Sequence, residues 1–327
     1  MTNNNLSFLF LGGSYRVGMA RLFKQACKKR GLSCRIVGYE LSKLCPLASE
    51  GEIVEGLRWD DPSIFEHFED LRMQYGIDAV IPFVDPAVEL AARYSYYTAG
   101  DVFAPASAPE LCSVMFDKVA AANRFESLGL PIPRTYRQGD PCLRLIAKPR
   151  FGSASAGLIQ INSLEKLDEI LLLGDKYLIQ ERIDRRTEIS VDCYIGVADG
   201  EIYAVSPRER LRVNGGEVVL TKTIADSDIC DLSMKVLELT GLRGAVTIQF
   251  IRDLDTGSLL LMEINPRLGG GAPASVYAGA DIPGLIISET LGQKPVFSKA
   301  EAGFVVTRCL TDVVFAPGHN TPLYGKQ

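Results

Sequence analysis

Over the first ~110 residues, short apolar runs alternate with stretches of helical period, the pattern of a parallel α/β sheet. Residues 6–11, Leu-Ser-Phe-Leu-Phe-Leu, read as a buried strand, and Gly12 to Gly18 then turns into a helix running to about Lys29. Residues 33–37 and 78–84 are further strands, and the second leads into Asp85-Pro86 and a helix carrying Glu89. A helical region over 108–129 carries Phe116-Asp117-Lys118 and closes at Gly129. Leu130-Pro-Ile-Pro-Arg134 follows as an extended connector, because proline cannot continue a helix and disfavours one before it.

Beyond the connector the pattern changes. Residues 143–148 form a strand ending in Lys148, a loop of small residues fills 150–157, and 158–161 resumes the strand. A helix over 163–173 and a short strand over 177–180 come next. Residues 188–195 and 201–205 alternate about an Asp-Gly turn at 199–200, a hairpin signal. A second hairpin is predicted over 212–220, then a helix over 227–239 ending at Gly241. Two long strands close the pattern, 245–251 and 258–264, joined by Asp253-Leu-Asp-Thr-Gly257.

Composition narrows the chemistry. With 327 residues, the chain is expected to divide into two or three subdomains. A net charge of −5 argues against non-specific attraction to nucleic acid or an anionic membrane. No apolar run approaches the ~20 residues that cross a bilayer, and the N-terminus lacks a basic secretory start, so the cytoplasm is the expected location. Eight scattered cysteines without a CxxC pair read as thiols rather than a disulfide framework. Only His67 and His319 are present, which disfavours His-rich zinc sites and imidazole relays. His67 is expected to be a solvated helix residue. The chemistry then falls to carboxylates, Lys, Arg and a bound metal.

Several segments suit that chemistry. In Leu259-Leu-Leu-Met-Glu-Ile-Asn-Pro-Arg267, Glu263 and Asn265 are two apart and share a strand face. Their hard oxygens suit Mg²⁺ and its bridged phosphates, and Arg267 could meet the charge of a transferring phosphoryl group. A strand-end lysine at 148, beside a loop open to backbone N–H groups, suits phosphate oxygens. Gln180-Glu181-Arg182-Ile183 could offer backbone groups to an adenine edge, Glu188 could accept ribose hydroxyls, and Gln249 could pair opposite Glu263. Each segment also reads plainly as a partly exposed strand or a surface hairpin. The turn at Gly12–Gly18 fits neither GxGxxG, since Tyr15 occupies the second glycine position, nor a Walker loop, since Met19-Ala20 follows. It reads as a structural turn, or as a pocket at the carboxyl edge of the sheet.

Taken in order, these parts resemble the ATP-grasp superfamily, most closely the branch related to the synthetase domains of carbamoyl-phosphate synthase. The quoted residues are Ile81-Pro, Asp85, Asp117-Lys118, Ile146-Ala-Lys148-Pro, Ile179-Gln-Glu-Arg-Ile183, Thr187-Glu188-Ile-Ser-Val, Gln249 and Met262-Glu-Ile-Asn-Pro-Arg267. The resemblance implies an α/β plus α+β chain: a parallel, Rossmann-like pre-ATP-grasp domain at 1–110, a small lobe with a phosphate flap at 111–183, and a large lobe at 184–327. It implies ATP and Mg²⁺ (or Mn²⁺). Lys118 and Lys148 would contact phosphates, and Gln180, Glu181 and Ile183 would frame adenine. Glu188 would hold ribose, and Gln249, Glu263 and Asn265 would organise metal. Arg267, with Lys148, would act catalytically. Gln249 stands where many relatives carry an acid, a mark of that branch.

The implied activity is ATP-dependent joining of a small-molecule carboxylate to an amine through an acylphosphate, with no nucleic-acid or membrane partner and a homodimer left open. Two other readings stand beside it: a subunit phosphorylating bicarbonate or carbamate with a partner, and an ATP-binding sensor without turnover. Candidate substrate residues are Arg208, Arg210 and Arg212, which period two places on one strand face, and Asp85, which could select an amine or cap a helix.

Overall fold

A computed structural model describes residues 5–140, 144–152 and 156–323. Leu143 and Ser153 to Ser155, parts of the expected strand and flap, lie outside the described residues. Apolar, β-rich segments form β1 (Asn5–Leu11), β2 (Ser33–Glu40), β3 (Glu52–Glu55) and β4 (Ala79–Pro82). They pair in parallel in the order β3-β2-β1-β4. Helices α1 (Val17–Lys29), α2 (Ile64–Tyr75) and α3 (Asp85–Tyr97) cover the sheet. One face buries Phe8, Phe10, Phe23 and Phe83, whose successive ring pairs lie 4.8–5.4 Å apart in tilted and edge-on arrangements. The expected α/β alternation holds here. His67 departs from its expected solvated place: it is half-buried and shares a 3.1 Å hydrogen bond with the Tyr39 hydroxyl.

The helical region over 108–129 is two helices, α4 (Pro109–Phe116) and α5 (Lys118–Ser127). Asp117 breaks it with extended backbone, and its carboxylate accepts from the N–H groups of Val119 and Ala120 as the cap of α5. Lys118 thereby becomes the first residue of a helix. A small antiparallel sheet follows, in the order β6-β5-β7, from β5 (Leu145–Pro149), β6 (Ile159–Ile161) and β7 (Tyr177–Glu181), with α6 (Leu164–Leu171) packed against it.

The third sheet has six strands in the order β12-β11-β8-β9-β10-β13. These are β8 (Arg186–Ile195), β9 (Ile202–Asn214), β10 (Glu217–Thr223), β11 (Gly244–Asp253), β12 (Leu259–Asn265) and β13 (Val305–Thr307). Helices α7 (Ser227–Thr240), α8 (Pro273–Tyr277) and α9 (Ile282–Thr290) complete the chain. Period two divides the strands. Ile189, Val191, Val246, Ile248 and Ile264 point to a core with α7 and α5, while Glu188, Ser190, Thr247 and Gln249 point the other way. That second face turns apolar at Tyr194, Ala204 and Ala245, where it shares a core with α1 and α9. The amino-terminal sheet is thus docked on one end of the large sheet, and the other end is left as the floor of a cleft.

Two irregularities decide which side chains reach that cleft. Gln249 pairs with Glu263 but Phe250 pairs with Leu261, so Met262 is the extra residue of a bulge. Leu261 therefore enters the core while Glu263, two residues on, faces the cleft. On β9, Arg210 pairs with Thr221 and Arg212 with Leu220, so Leu211 is extra. That bulge takes Arg212 off the face of Arg208 and Arg210 and leaves it exposed, correcting the expectation of three arginines in one row.

The cysteines among the described residues are free thiols. None of the described helices is long and apolar enough to cross a membrane. Gly244 locks the domains together: its φ is +74°, and a Cβ there would lie 2.2 Å from the backbone of Pro105, whose carbonyl accepts from Ala245 N. Gly241, at φ +73°, faces open space. Gly241→Ala should cost only left-handed strain, about 1–2 kcal/mol, whereas Gly244→Ala adds a backbone collision. Thermal unfolding of the two variants checks this: the Gly244 variant should melt several degrees lower, and equal midpoints would show that the contact adapts.

Candidate functional site

The cleft lies between the three sheets. It is floored by the polar face of the six-stranded sheet and roofed by β5, β7 and the loop after β5. One end is apolar, with Ile132, Ile146, Leu178 and Met262. Sequence reasoning missed these four, whose only signal is that apolar residues flank each polar candidate. The other end is charged and is reached from the amino-terminal sheet by Arg16 and Asp85.

Across β9, β8, β11 and β12 the ladder aligns Arg208, Ser190, Gln249 and Glu263 in one row. Gln249 Nε2 donates to Glu263 Oε1 at 2.7 Å, and Asn265 Nδ2 donates to the same oxygen at 3.1 Å. Arg210 Nη1 donates to Gln249 Oε1 at 3.1 Å, and Arg267 Nη2 donates to Asn265 Oδ1 at 3.3 Å. Arg267 Nε donates to Asp85 Oδ1 at 2.6 Å. The result is a continuous relay from Arg210 to Asp85. The N-cap position of α3 is Val84, and Asp85, in its first turn, anchors Arg267 from the amino-terminal part of the chain. Gln249, Glu263 and Asn265 come together as expected. Their one carboxylate and two amides supply hard oxygens, but both amide oxygens are engaged by Arg210 and Arg267, so the set fits Mg²⁺ only with further ligands, such as phosphates and water. No cluster of three His, Cys, Asp or Glu exists among the described residues.

Lys148 projects from β5 into the same space and donates to Gln180 Oε1 at 2.8 Å. Burial lowers its pKa to about 8; Glu263 opposes the shift, and Lys118 and Arg186 reinforce it. Lys118 Nζ donates to the Gly152 carbonyl, and the Lys118 N–H donates to Arg150 O at 2.9 Å, so helix start and flap base are joined. Gln180 is buried with its side chain fully engaged, its amide donating to Pro133 O at 3.0 Å. It positions Lys148 and the connector from within the cleft lining. Glu181 gives its N–H to Arg134 O and accepts Arg134 N, and Ile183 O accepts Arg186 Nη1 at 2.7 Å. Glu188 faces the cleft with Arg186 Nη2 at 3.0 Å and Arg210 Nε at 3.6 Å.

Arg208 is the most buried charge of the site. Its Nε and Nη2 meet Asp192 at 2.7 and 3.3 Å, and Asp192 also accepts from Thr247 and Ser275. Removing one member of such a pair costs about 3–5 kcal/mol, so Arg208 has a structural duty that the sequence did not announce. The cleft lining also includes Gly269, Gly270 and Gly271.

Comparison with known proteins finds relatives of the same fold. Residues 175–311 match the family described as ATP-grasp in the biosynthetic pathway with Ter operon. A D-alanine–D-alanine ligase of Xylella fastidiosa is 24% identical over 198 residues, 53% of this chain. The match spans 62% of that relative's length. Among solved structures, the biotin carboxylase domain of Hydrogenobacter thermophilus 2-oxoglutarate carboxylase, bound to MgADP, ADP and bicarbonate, superposes with a TM-score of 0.70. It is 16% identical and covers 92% of this chain and 74% of its own. N5-carboxyaminoimidazole synthetase from Staphylococcus aureus, complexed with ADP, also gives a TM-score of 0.70 at 17% identity, covering 91% of this chain and 80% of its own.

The charge balance around Lys148 is directly testable. Its ammonium is kept below pH ~8 and lost above it, with Glu263 the chief group favouring the charged form. NMR titration of reductively ¹³C-methylated protein should show one lysine with a midpoint near pH 8, absent from Lys148→Met. In Glu263→Gln that midpoint should fall further. A Lys148 midpoint at or above the ordinary lysine value of about 10.4 would overturn the desolvated picture.

Proposed function

We propose that this chain, which carries the ATP-grasp fold, is an ATP-dependent, ADP-forming ligase that joins a small-molecule carboxylate to an amine through an acylphosphate. The observation that carries the reading is the relay Gln249–Glu263–Asn265–Arg267, set across the cleft from Lys148 and Lys118 with an apolar slot beside it. Cations and hard oxygens face one another there, an arrangement suited to holding a triphosphate.

In this reading the domains divide near 110 and 183. ATP lies with adenine in the slot of Ile146, Leu178 and Met262, near backbone groups of Glu181 and Ile183, and its ribose lies toward Glu188. Gln180 contributes by orienting Lys148. Glu263 and Asn265, with Gln249 behind them, would hold Mg²⁺ (or Mn²⁺), which when bound neutralises phosphate charge. Lys148 and Lys118 neutralise the remaining phosphate oxygens. Arg267, fixed by Asp85, directs its remaining N–H groups at the transferring phosphoryl. A carboxylate oxygen attacks the γ-phosphorus and ADP leaves. The amine then attacks the acyl carbon, loses a proton and expels phosphate. Positioning and charge neutralisation carry such a reaction without a protein nucleophile, consistent with the scarcity of histidine. Arg210 lies within the relay as a substrate-side or positioning residue, whereas exposed Arg212 has no part in it. The relative named as a D-alanine–D-alanine ligase supports an amine acceptor. The bicarbonate in the biotin carboxylase structure supports bicarbonate phosphorylation as a second reading.

ADP release from Mg-ATP over pooled carboxylates and amines tests the proposal. Release should require one member of each pool. Release with bicarbonate alone would favour the second reading, and none in any pool would favour a sensor. Glu263→Ala should abolish turnover while the protein stays folded, and near-normal activity would remove the metal assignment. Arg267→Ala should lower kcat by about 10²–10³, more than it weakens ATP. A loss of affinity with kcat intact would reassign Arg267 to ground-state binding.

A further inference from the structure

Arg16 enters the cleft from the turn after β1, the segment whose role the sequence left open. Its Nε and Nη1 are buried without a hydrogen-bond partner, and Nη1 lies 3.5 Å from Glu217. Glu217 is itself held at 2.7 Å by Arg308, so its charge is shared between two arginines. Arg208 presents a second such group. It is 98% buried, and Asp192 takes Nε and Nη2, while Nη1 is buried without a partner beside the cleft. Arg16 Nη1 and Arg208 Nη1 abut the same loop. A Cβ on Gly270 would lie 3.0 Å from Arg16 Nη1, and one on Gly271 would lie 2.5 Å from Arg208 Nη1. Adjacent Cα atoms are only about 3.8 Å apart, so the two guanidiniums flank a single peptide unit. Side chains there would fill the space the arginines occupy.

Buried guanidinium N–H groups without acceptors are costly unless a ligand completes them. Their planar donors match carboxylate and phosphate oxygens. Burial, together with the like charges of Arg267 and Arg308, weakens the hold of Arg16 on its proton, and Glu217 works against this. An incoming anion relieves that repulsion.

We propose that Arg16 and Arg208 form a second anion subsite at the Gly269–Gly271 loop, so that the carboxylate substrate carries a further anionic group, carboxylate or phosphate, at its far end. This rests on the ligase reading: one carboxylate meets the phosphoryl group near Arg267, and the other end is gripped by the arginine pair. It also separates the two functional readings, because bicarbonate has no second end to hold.

The test is calorimetric titration of the full chain, without ATP, using glutarate, 3-phosphopropionate and valerate, followed by ADP release with each. At least one dianion should bind about 10- to 100-fold tighter than valerate, and the tighter of the two names the anionic group. Arg16→Met should erase that preference while circular dichroism stays unchanged. Arg208→Lys keeps a charge for Asp192 but withdraws the second nitrogen, and should also erase it. Neither dianion outbinding valerate, or a preference that survives Arg16→Met, would overturn the subsite. Selective dianion binding with no ADP release under any pairing would sink the ligase reading and leave the subsite standing.

Discussion

A buried carboxylate organises the large sheet. Asp192 sits inside the protein and accepts from Arg208 on the neighbouring strand, Thr247 on the strand across, and Ser275 on α8. An uncompensated charge at that depth is not tolerated, so strand order, register and the placement of the segment after β12 are constrained together. Thr247 extends the constraint, since its hydroxyl, donating to Asp192, also accepts Gly269 N at 3.0 Å and lies 3.2 Å from Arg267 O. The backbone path just beyond Arg267 is thereby fixed from below. The arginine's head group is fixed separately by Asp85.

The cleft shows how a sheet sorts chemistry by parity. Alternation along β8 and β11 sends every second residue to the core and the rest to the floor. On β12 it would have sent Glu263 to the core side with Leu261 but for the bulge at Met262. One extra residue lets the same strand bury an apolar run and still deliver a carboxylate and an amide to the cleft, with Met262 left at the apolar end. The bulge at Leu211 does the opposite for Arg212, removing a charge from the floor.

Much of this was legible in the chain. Alternating apolar runs announced the parallel sheet, the Asp-Gly and Gly-Gly turns announced the hairpins, and Glu263, Asn265 and Arg267 announced the relay, since their spacing survives folding. What escaped was of two kinds. Bulges leave no mark in a sequence, because an extra residue in a ladder looks like any other, and so Arg212 was placed with Arg208 and Arg210. Partnerships over long separations escaped as well. Asp85 lies 182 positions from Arg267, and only the docking of one segment on another shows that its carboxylate is an anchor. Arg16 carried one usable signal, a charged residue in a glycine turn at the carboxyl end of a parallel strand, where ligands of open α/β sheets bind. The amide of Gln180, expected among the residues framing adenine, also bridges Lys148 and Pro133, a partnership no sequence pattern signals.

The Asp85–Arg267 bond has a further consequence for how such chains can be reassembled. The arginine follows β12 and its counter-charge heads α3, so neither segment specifies the site alone. An exchange of amino-terminal segments between relatives would have to keep the apolar surface against α1 and α9 and the close contact at Gly244, and would also decide whether the arginine is aimed or adrift. The cleft is therefore specified by the two segments together, and a carboxylate heading the helix after the fourth strand is the feature a transplanted amino-terminal segment must bring with it.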